Sequence, residues 1–359
     1  MNISSYIKKY GDFTFLDKPF NEVDNVILSC ISYVNFLNIV PKNAIVKKTL
    51  EEVAFEYFSK NTKKENKKNI GEVRTGIKLL YEVWHTERYK KILMFNYTYV
   101  GNSNSQFSAI SFEYLKNYIY VAFQGTDELL SGWEEDFKIA YSYPVPAQKY
   151  AINYLKRKYF LTRSNLILGG HSKGGHLAII ALMEAPKFLS KNVTKIYSND
   201  GLGLRKEEYY SNKYQRIKNK IVKIIPDYSM VGVILQYDTN YIVVKSKTKG
   251  FFAHNPKGWI IEDDHFLNTK LTRFSLVFKE GMSRWLDSYT YKEKKDFAIS
   301  IFDLARKYKF KSLLDFRKRK LAFFRMVVSS KNVDKKTKEM VRRLLSIIIK
   351  CNKEYKEEL

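Results

Sequence analysis

Residues Leu166 to Ala178 read LILGGHSKGGHLA: an apolar run, a cluster of glycines around one serine, then a second apolar run of helical character. Gly170, Ser172 and Gly174 form a G-x-S-x-G pattern, which the chain's own glycine and serine frequencies would produce by chance roughly one time in twenty. Context makes it more specific. A serine on a sharp strand-to-helix turn has its hydroxyl lifted out at the carboxyl edge of a sheet, and only small neighbours tolerate the strained backbone. NLILG reads as the strand and HLAIIALMEA as the helix. A helix starting there aims unpaired N–H groups and a partial positive charge at the place where an oxyanion would form. Ser172 is therefore the expected nucleophile and the Lys173 amide the first oxyanion donor. The second should come from the loop ending YIYVAFQGTD, with the amide or hydroxyl of Thr126 as candidate; taken alone, Thr126 reads as an ordinary turn residue before a helix.

Serine needs a histidine to take its proton and an acid to orient that histidine. Of the five histidines, His171 and His176 flank the turn and read as structural, because a sequence neighbour rarely reaches the serine from the far side. His85 precedes the expected sheet. His254 and His265 lie downstream, as the order Ser, Asp, His requires. His254, in the loop-rich FFAHNPKGW after the strand-like YIVVKS, is preferred. Asp227, closing IVKIIPD between serine and histidine, is the expected acid. Asp200, closing KIYSND, is its competitor, although the glycines at 201 and 203 favour a turn-forming role there.

Around this centre the periodicity alternates. Residues 1 to about 90 read as helical, with VILSCISYVNFLNIV as a buried helix interrupted by polar residues and too short to span a membrane. KNTKKENKKN at 60–69 reads as an exposed loop. ILMFNYTYVG and YLKNYIYVAFQG read as strands, as do VTKIYSND and NKIVKIIPDYS. Strands alternating with a helix imply βαβ units and a largely parallel sheet. After about residue 265 helices return, in FAISIFDLARKYKF, SLLDFRKRKLAFFRMVV and KEMVRRLLSIIIKC, with a helix cap expected within 332–334. The expected fold is α/β: a largely parallel central sheet flanked by helices over residues 1–275, with a basic helical extension over 276–359.

The 63 basic and 37 acidic side chains give a net charge of +26, a field that attracts anionic partners without specifying one. The lysines are scattered, and no zinc-finger, phosphate-loop or dinucleotide pattern occurs. Nucleic acid is disfavoured as a partner. Mixed cations and aromatics in RKRKLAFFRMVV could lie against anionic lipid, or its apolar face could pack on the core. Two cysteines far apart and an N-terminus without a secretory apolar stretch lead us to expect a cytoplasmic protein.

VAFQGTD, WEEDF, GGHSKGGHLA, IIPDYSMVG and HNPKGW, in that order, resemble the class 3 lipases, and most closely a bacterial branch of that α/β-hydrolase family. The likeness spans about residues 1–275. It implies Ser172 as nucleophile, Thr126 and the Lys173 amide as oxyanion hole, and His254 as general base. It also implies structural roles for Trp133 and Asp136. Relatives usually carry arginine where this chain has Gln124, and the acid position varies. The implied activity is cleavage of carboxylic esters, including acyl lipids, by a Ser-His-Asp triad needing neither metal nor organic cofactor. The alternative is an inactive hydrolase fold serving as a basic membrane- or nucleic-acid-binding protein.

Overall fold

A computed structural model describes residues 1–357 except 63–65, 67, 103–104, 128–129, 238–239, 311–326, 328 and 331–332. The helical N-terminal region comprises α1 (Ile3–Tyr10), α2 (Glu22–Ile31), α3 (Leu50–Lys60) and α4 (Gly71–Val83). Asn21 and Thr49 cap α2 and α3 with reciprocal capping boxes, which satisfy amide groups left open at each helix start. As expected, VILSCISYVNFLNIV contributes a fully buried helix, but that helix stops at Ile31.

The strands are β1 (Lys48–Thr49), β2 (Leu93–Asn102), β3 (Ser105–Leu115), β4 (Tyr118–Phe123), β5 (Asn165–His171), β6 (Val193–Asn199), β7 (Ile221–Pro226) and β8 (Tyr241–Val244). They lie in one eight-stranded sheet in sequential order. The pairs from β1 to β4 are antiparallel; those from β4 to β8 are parallel. Alternation along each strand sends side chains to two faces. On β4, Ile119, Val121 and Phe123 join one apolar cluster with Leu155 and Leu177. Tyr120 and Ala122 join the other, with Val26, Ile27 and Leu80 of the N-terminal helices. The sheet thus has the N-terminal helices on one face. On the other lie α6 (Pro146–Tyr159) and α7 (Lys173–Met183), which follows α5 (Leu130–Lys138) and α6 in the chain. This is an α/β-hydrolase-like arrangement, a mostly parallel sheet covered on both sides.

Beyond the sheet come α8 (Arg273–Asp287), α9 (Tyr291–Lys307) and α10 (Lys335–Glu357). The boundary expected at 275/276 falls inside α8. Ala298, Phe302 and Ala305 of α9 pack on Leu130 of α5, where Arg306 also pairs with Glu134 at 2.7 Å. Met340 of α10 packs on Trp285 and Phe297, so part of its apolar side is covered by protein. Asp334 accepts from the Thr337 amide at 2.8 Å and supplies the expected cap. RKRKLAFFRMVV lies almost wholly outside the described residues, as does part of KNTKKENKKN. Among the described residues no helix is long and apolar enough to cross a membrane.

One polar anchor was not anticipated. Arg88, fully buried, grips Asp24 of α2 through Nε (2.8 Å) and Nη2 (2.6 Å), and Tyr89 donates to the same carboxylate at 2.5 Å. The guanidinium also donates to the carbonyls of Phe13, Thr14, Lys18 and Pro19, tying the chain before α2 to the start of the sheet. Removing one partner strands the other charge in the interior. Arg88→Ala should lower stability by about 3–5 kcal/mol, measured from the urea unfolding midpoint; a change below about 1 kcal/mol would contradict this reading.

Candidate active site

Ser172 follows β5 directly and adopts φ 57°, ψ −130°, a left-handed conformation that costs free energy in a non-glycine residue. The turn can close because the two glycines of the motif, Gly170 and Gly174, lack side chains. A Cβ on Gly170 would lie 2.4 Å from the Phe123 carbonyl oxygen, and one on Gly174 would lie 2.0 Å from that atom. Both glycines of the motif are thus demanded by the end of β4. The Ser172 N–H donates to Asn199 O at 2.9 Å, stitching the turn to the end of β6, while Lys173 opens the fully buried helix α7.

The carboxylate expected beside His254 and the one found there differ. Asp200, the residue after β6, places Oδ2 2.7 Å from His254 Nδ1. Its other oxygen accepts from Ser229 Oγ at 2.5 Å and the Gly232 amide at 3.0 Å. Asp227 stands one strand further from the elbow. Its Oδ2 pairs with Lys245 at 2.9 Å, and Oδ1 accepts from the Ser246 amide at 3.1 Å. Its carbonyl accepts from Thr272 and Ser275 at the start of α8. Asp227 therefore ties β7 to β8 and α8, and the assignment of this residue as the histidine's partner is corrected to Asp200. The physical reason is strand order: β6 pairs directly with β5, which carries the serine turn, whereas β7 pairs with β6. Asp200 is also the turn residue its glycines suggested, at φ 47°. A Cβ on Gly201 would lie 2.8 Å from Ser172 O, and one on Gly232 would lie 2.3 Å from Asp200 Oδ1, so glycine permits both close approaches. IIPDYSMVG, read as the source of the acid, supplies the acid's hydrogen-bond donors.

Burial opposes charge on His254, but the hydrogen bond and negative charge of Asp200 outweigh it and raise the imidazole above its usual range. With Nδ1 on Asp200, Nε2 is the nitrogen left for proton exchange. Among the described residues no hydrogen bond joins it to Ser172 Oγ. His171 is buried beside it, ring centroids 4.4 Å apart. His171 Nε2 contacts the His254 carbonyl at 2.8 Å and Nδ1 contacts Tyr33 Oη at 3.1 Å. A carbonyl only accepts, so Nε2 carries the proton and Nδ1 accepts from tyrosine. Burial, reinforced by His254, lowers the His171 pKa well below the ordinary value. His176 bridges Gln148 (2.8 Å) and Gly203 O (2.9 Å), and burial takes it down to about 4. Both flanking histidines thus have the structural surroundings expected of them. His265 is half exposed and meets Asp264 at 3.2 Å, and His85 packs against Trp84 with the rings tilted by 41°.

Opposite the acid loop, Thr126 donates its hydroxyl to Asp136 at 2.7 Å. Of the two donors considered for Thr126, the hydroxyl is thus committed to Asp136. The Lys173 side chain is fully buried, 3.0 Å from Glu135 and 3.7 Å from Asp136. Burial raises the Asp136 pKa against the opposing pull of Lys173 and Thr126. Glu135 further accepts from Ser105 Oγ and the Ala147 amide. WEEDF therefore braces the loop beneath Thr126. Its tryptophan, Trp133, packs against Phe251 at 5.8 Å, and Phe251 in turn packs against His254 at 5.9 Å. An apolar groove of about 190 Å³, lined by Leu130, Trp133, Phe137, Phe297, Ile301 and Phe302, opens beside them. Among the described residues no group of three or more His, Cys, Asp or Glu is placed to hold a metal ion.

These contacts give a direct test by titrating His254 in nuclear magnetic resonance spectra. Asp200→Asn should lower its pKa, since the charge that holds the imidazolium is lost, whereas Asp227→Asn should leave it unchanged; the reverse pattern would restore Asp227 as the partner.

The chain was compared with known proteins. Among solved structures, the Rhizomucor miehei lipase propeptide complex aligns at a TM-score of 0.37 and 11% identity, covering 61% of this chain and 66% of the other. The M37 lipase aligns at 0.36 and 13%, covering 62% and 71%. The chain thus spans about two thirds of the lengths of those structures. No curated protein matches. A family model described as Mbeg1-like matches residues 83–303, from the strand region through the acid loop, the His254 loop and α9. With more than half of its length matched, the chain belongs to the Mbeg1-like family.

Proposed function

We propose that this protein is a serine hydrolase of carboxylic esters, acting on acyl lipids or smaller acyl esters. The observation that carries the proposal is the buried Asp200–His254 pair standing beside a strained serine turn at the carboxyl edge of the parallel strands. Ser172 Oγ attacks the ester carbonyl as His254 Nε2 takes its proton. The resulting oxyanion is held by the Lys173 and Thr126 amides, and the imidazolium is stabilised by Asp200. Collapse breaks the bond to the alcohol, which leaves with the proton from His254. Water, activated by the same imidazole, then releases the acid from the acyl-enzyme. The groove lined by Trp133 and Phe137 supports an apolar acyl chain, since its walls would be desolvated by one.

A panel of p-nitrophenyl esters tests this reading. Hydrolysis should fall at least a thousandfold in Ser172→Ala and in His254→Ala, and about ten-thousandfold in Asp200→Asn. Because the base must be neutral and its pKa is raised, kcat/KM should rise with pH along a limb displaced to higher pH than that of an ordinary imidazole. Trp133→Ala should raise KM more for long acyl chains than for acetate. Hydrolysis that persists in purified Ser172→Ala would overturn the assignment.

A further inference from the structure

The side chain of Lys173 does more than open α7. It is fully buried and runs from the serine turn to α5 and β3. There its ammonium lies 3.0 Å from Glu135 and 3.7 Å from Asp136, and donates to Gln106 O at 3.2 Å. Glu135 is held in turn by Ser105 Oγ at 2.8 Å and the Ala147 amide at 2.9 Å. Asp136 is held otherwise. One oxygen accepts from Thr126; the other, Oδ1, faces the Lys173 ammonium and takes no hydrogen bond among the described residues. Burial raises the Asp136 carboxyl, and Lys173 is the largest influence keeping it ionised.

Two of the groups that Lys173 touches lead to the same loop. Thr126 Oγ1 donates to Asp136 Oδ2 at 2.7 Å. Gln106 makes a reciprocal pair with the next residue: its Nε2 donates to Asp127 Oδ2 at 2.7 Å, and its Oε1 accepts from the Asp127 N–H at 3.3 Å. The loop after β4 is thus clamped at both Thr126 and Asp127. Helix α5 runs close beside it, since a Cβ on Gly132 would lie 2.5 Å from Thr126 Cγ2. The Lys173 ammonium sits where these clamps meet, on a residue whose own N–H opens α7 directly after the serine.

We infer that the Lys173 side chain is a positioning group for the oxyanion hole, a role that presupposes the ester hydrolysis proposed above. The Lys173 amide supplies one donor from the serine turn, and its ammonium fixes the loop carrying the other donor, through Asp136 and Gln106. An oxyanion hole works only while its donors are held at the spacing the developing charge requires. Here the two donors stand on different elements, after β5 and after β4, and one side chain ties them together. The tie is an ion pair in the interior, where salt screens it little. An apolar residue at 173 would keep the amide and lose the tie. Two neighbouring carboxylates would then face each other without their cation, and one would take up a proton. A protonated Asp136 gives up the charge-assisted bond that holds Thr126.

Kinetics on p-nitrophenyl butyrate, read beside urea unfolding midpoints, test this role. Lys173→Met should lower kcat about tenfold or more and leave KM within about twofold, because a misplaced donor is felt in the transition state. Affinity for an alkyl boronic acid, which forms a tetrahedral adduct with serine, should fall in step with kcat. Lys173→Met combined with Glu135→Gln removes a carboxylate together with the cation. That pair should recover the unfolding midpoint while kcat stays low, and it carries the test if the single variant does not fold. A folded Lys173→Met with kcat within about twofold of wild type, or a double variant in which kcat recovers along with the midpoint, would reduce the side chain to packing and overturn the inference. Failure of both variants to fold would do the same. A wild type that hydrolyses no ester would instead overturn the hydrolase reading, and the positioning role with it.

Discussion

The approach of the β5 elbow to the carbonyl of Phe123 governs everything around it. Ser172 can hold its left-handed conformation only because Gly170 and Gly174 leave room for that carbonyl. Once the elbow is seated, its N–H is committed to Asn199 O, which brings the end of β6 alongside. Asp200 follows immediately and can then reach His254. Strain in one residue is thus held in place by neighbours that each satisfy another requirement, as is typical where function and folding compete.

Buried charge around the elbow is consistently partnered. Asp200 has three donors, Lys173 lies between Glu135 and Asp136, and Asp24 is wrapped by Arg88 and Tyr89. The cost of desolvating these ions is offset by pairing within hydrogen-bond distance. The two flanking histidines take the opposite solution and stay neutral under burial. His254 alone among the three is held above its ordinary value, which separates it by environment from its neighbours. Lys223 is met differently, its buried ammonium donating to Gly201 O at 2.9 Å and lying 4.1 Å from the centroid of the Tyr237 ring.

Much of this was legible in the residues. The strand, turn and helix at 165–183 and the parallel strands after it followed from local pattern and chain order, and His254, preferred over His265 on the same grounds, is the histidine that lies against a buried carboxylate. The carboxylate beside His254 was not, because Asp200 and Asp227 both close strands in the right sequence interval. Only their positions in the sheet distinguish them, and sheet order is a non-local property. The glycines after Asp200 were read as turn formers, which they are; their second role, close approach to Ser172 O, cannot be seen without knowing what lies opposite. Arg88 likewise offered no signal, since an arginine among many cations reads as surface until its partner Asp24 is placed beside it.

The claim at the centre is that Ser172 becomes acylated during turnover. Mass spectrometry of protein quenched while hydrolysing a short acyl ester tests it most directly. The account predicts an adduct of one acyl group on the peptide containing Ser172, accumulating further when deacylation is slowed and absent from Ser172→Ala. An unmodified Ser172 peptide during sustained hydrolysis, or an adduct on another residue, would contradict it.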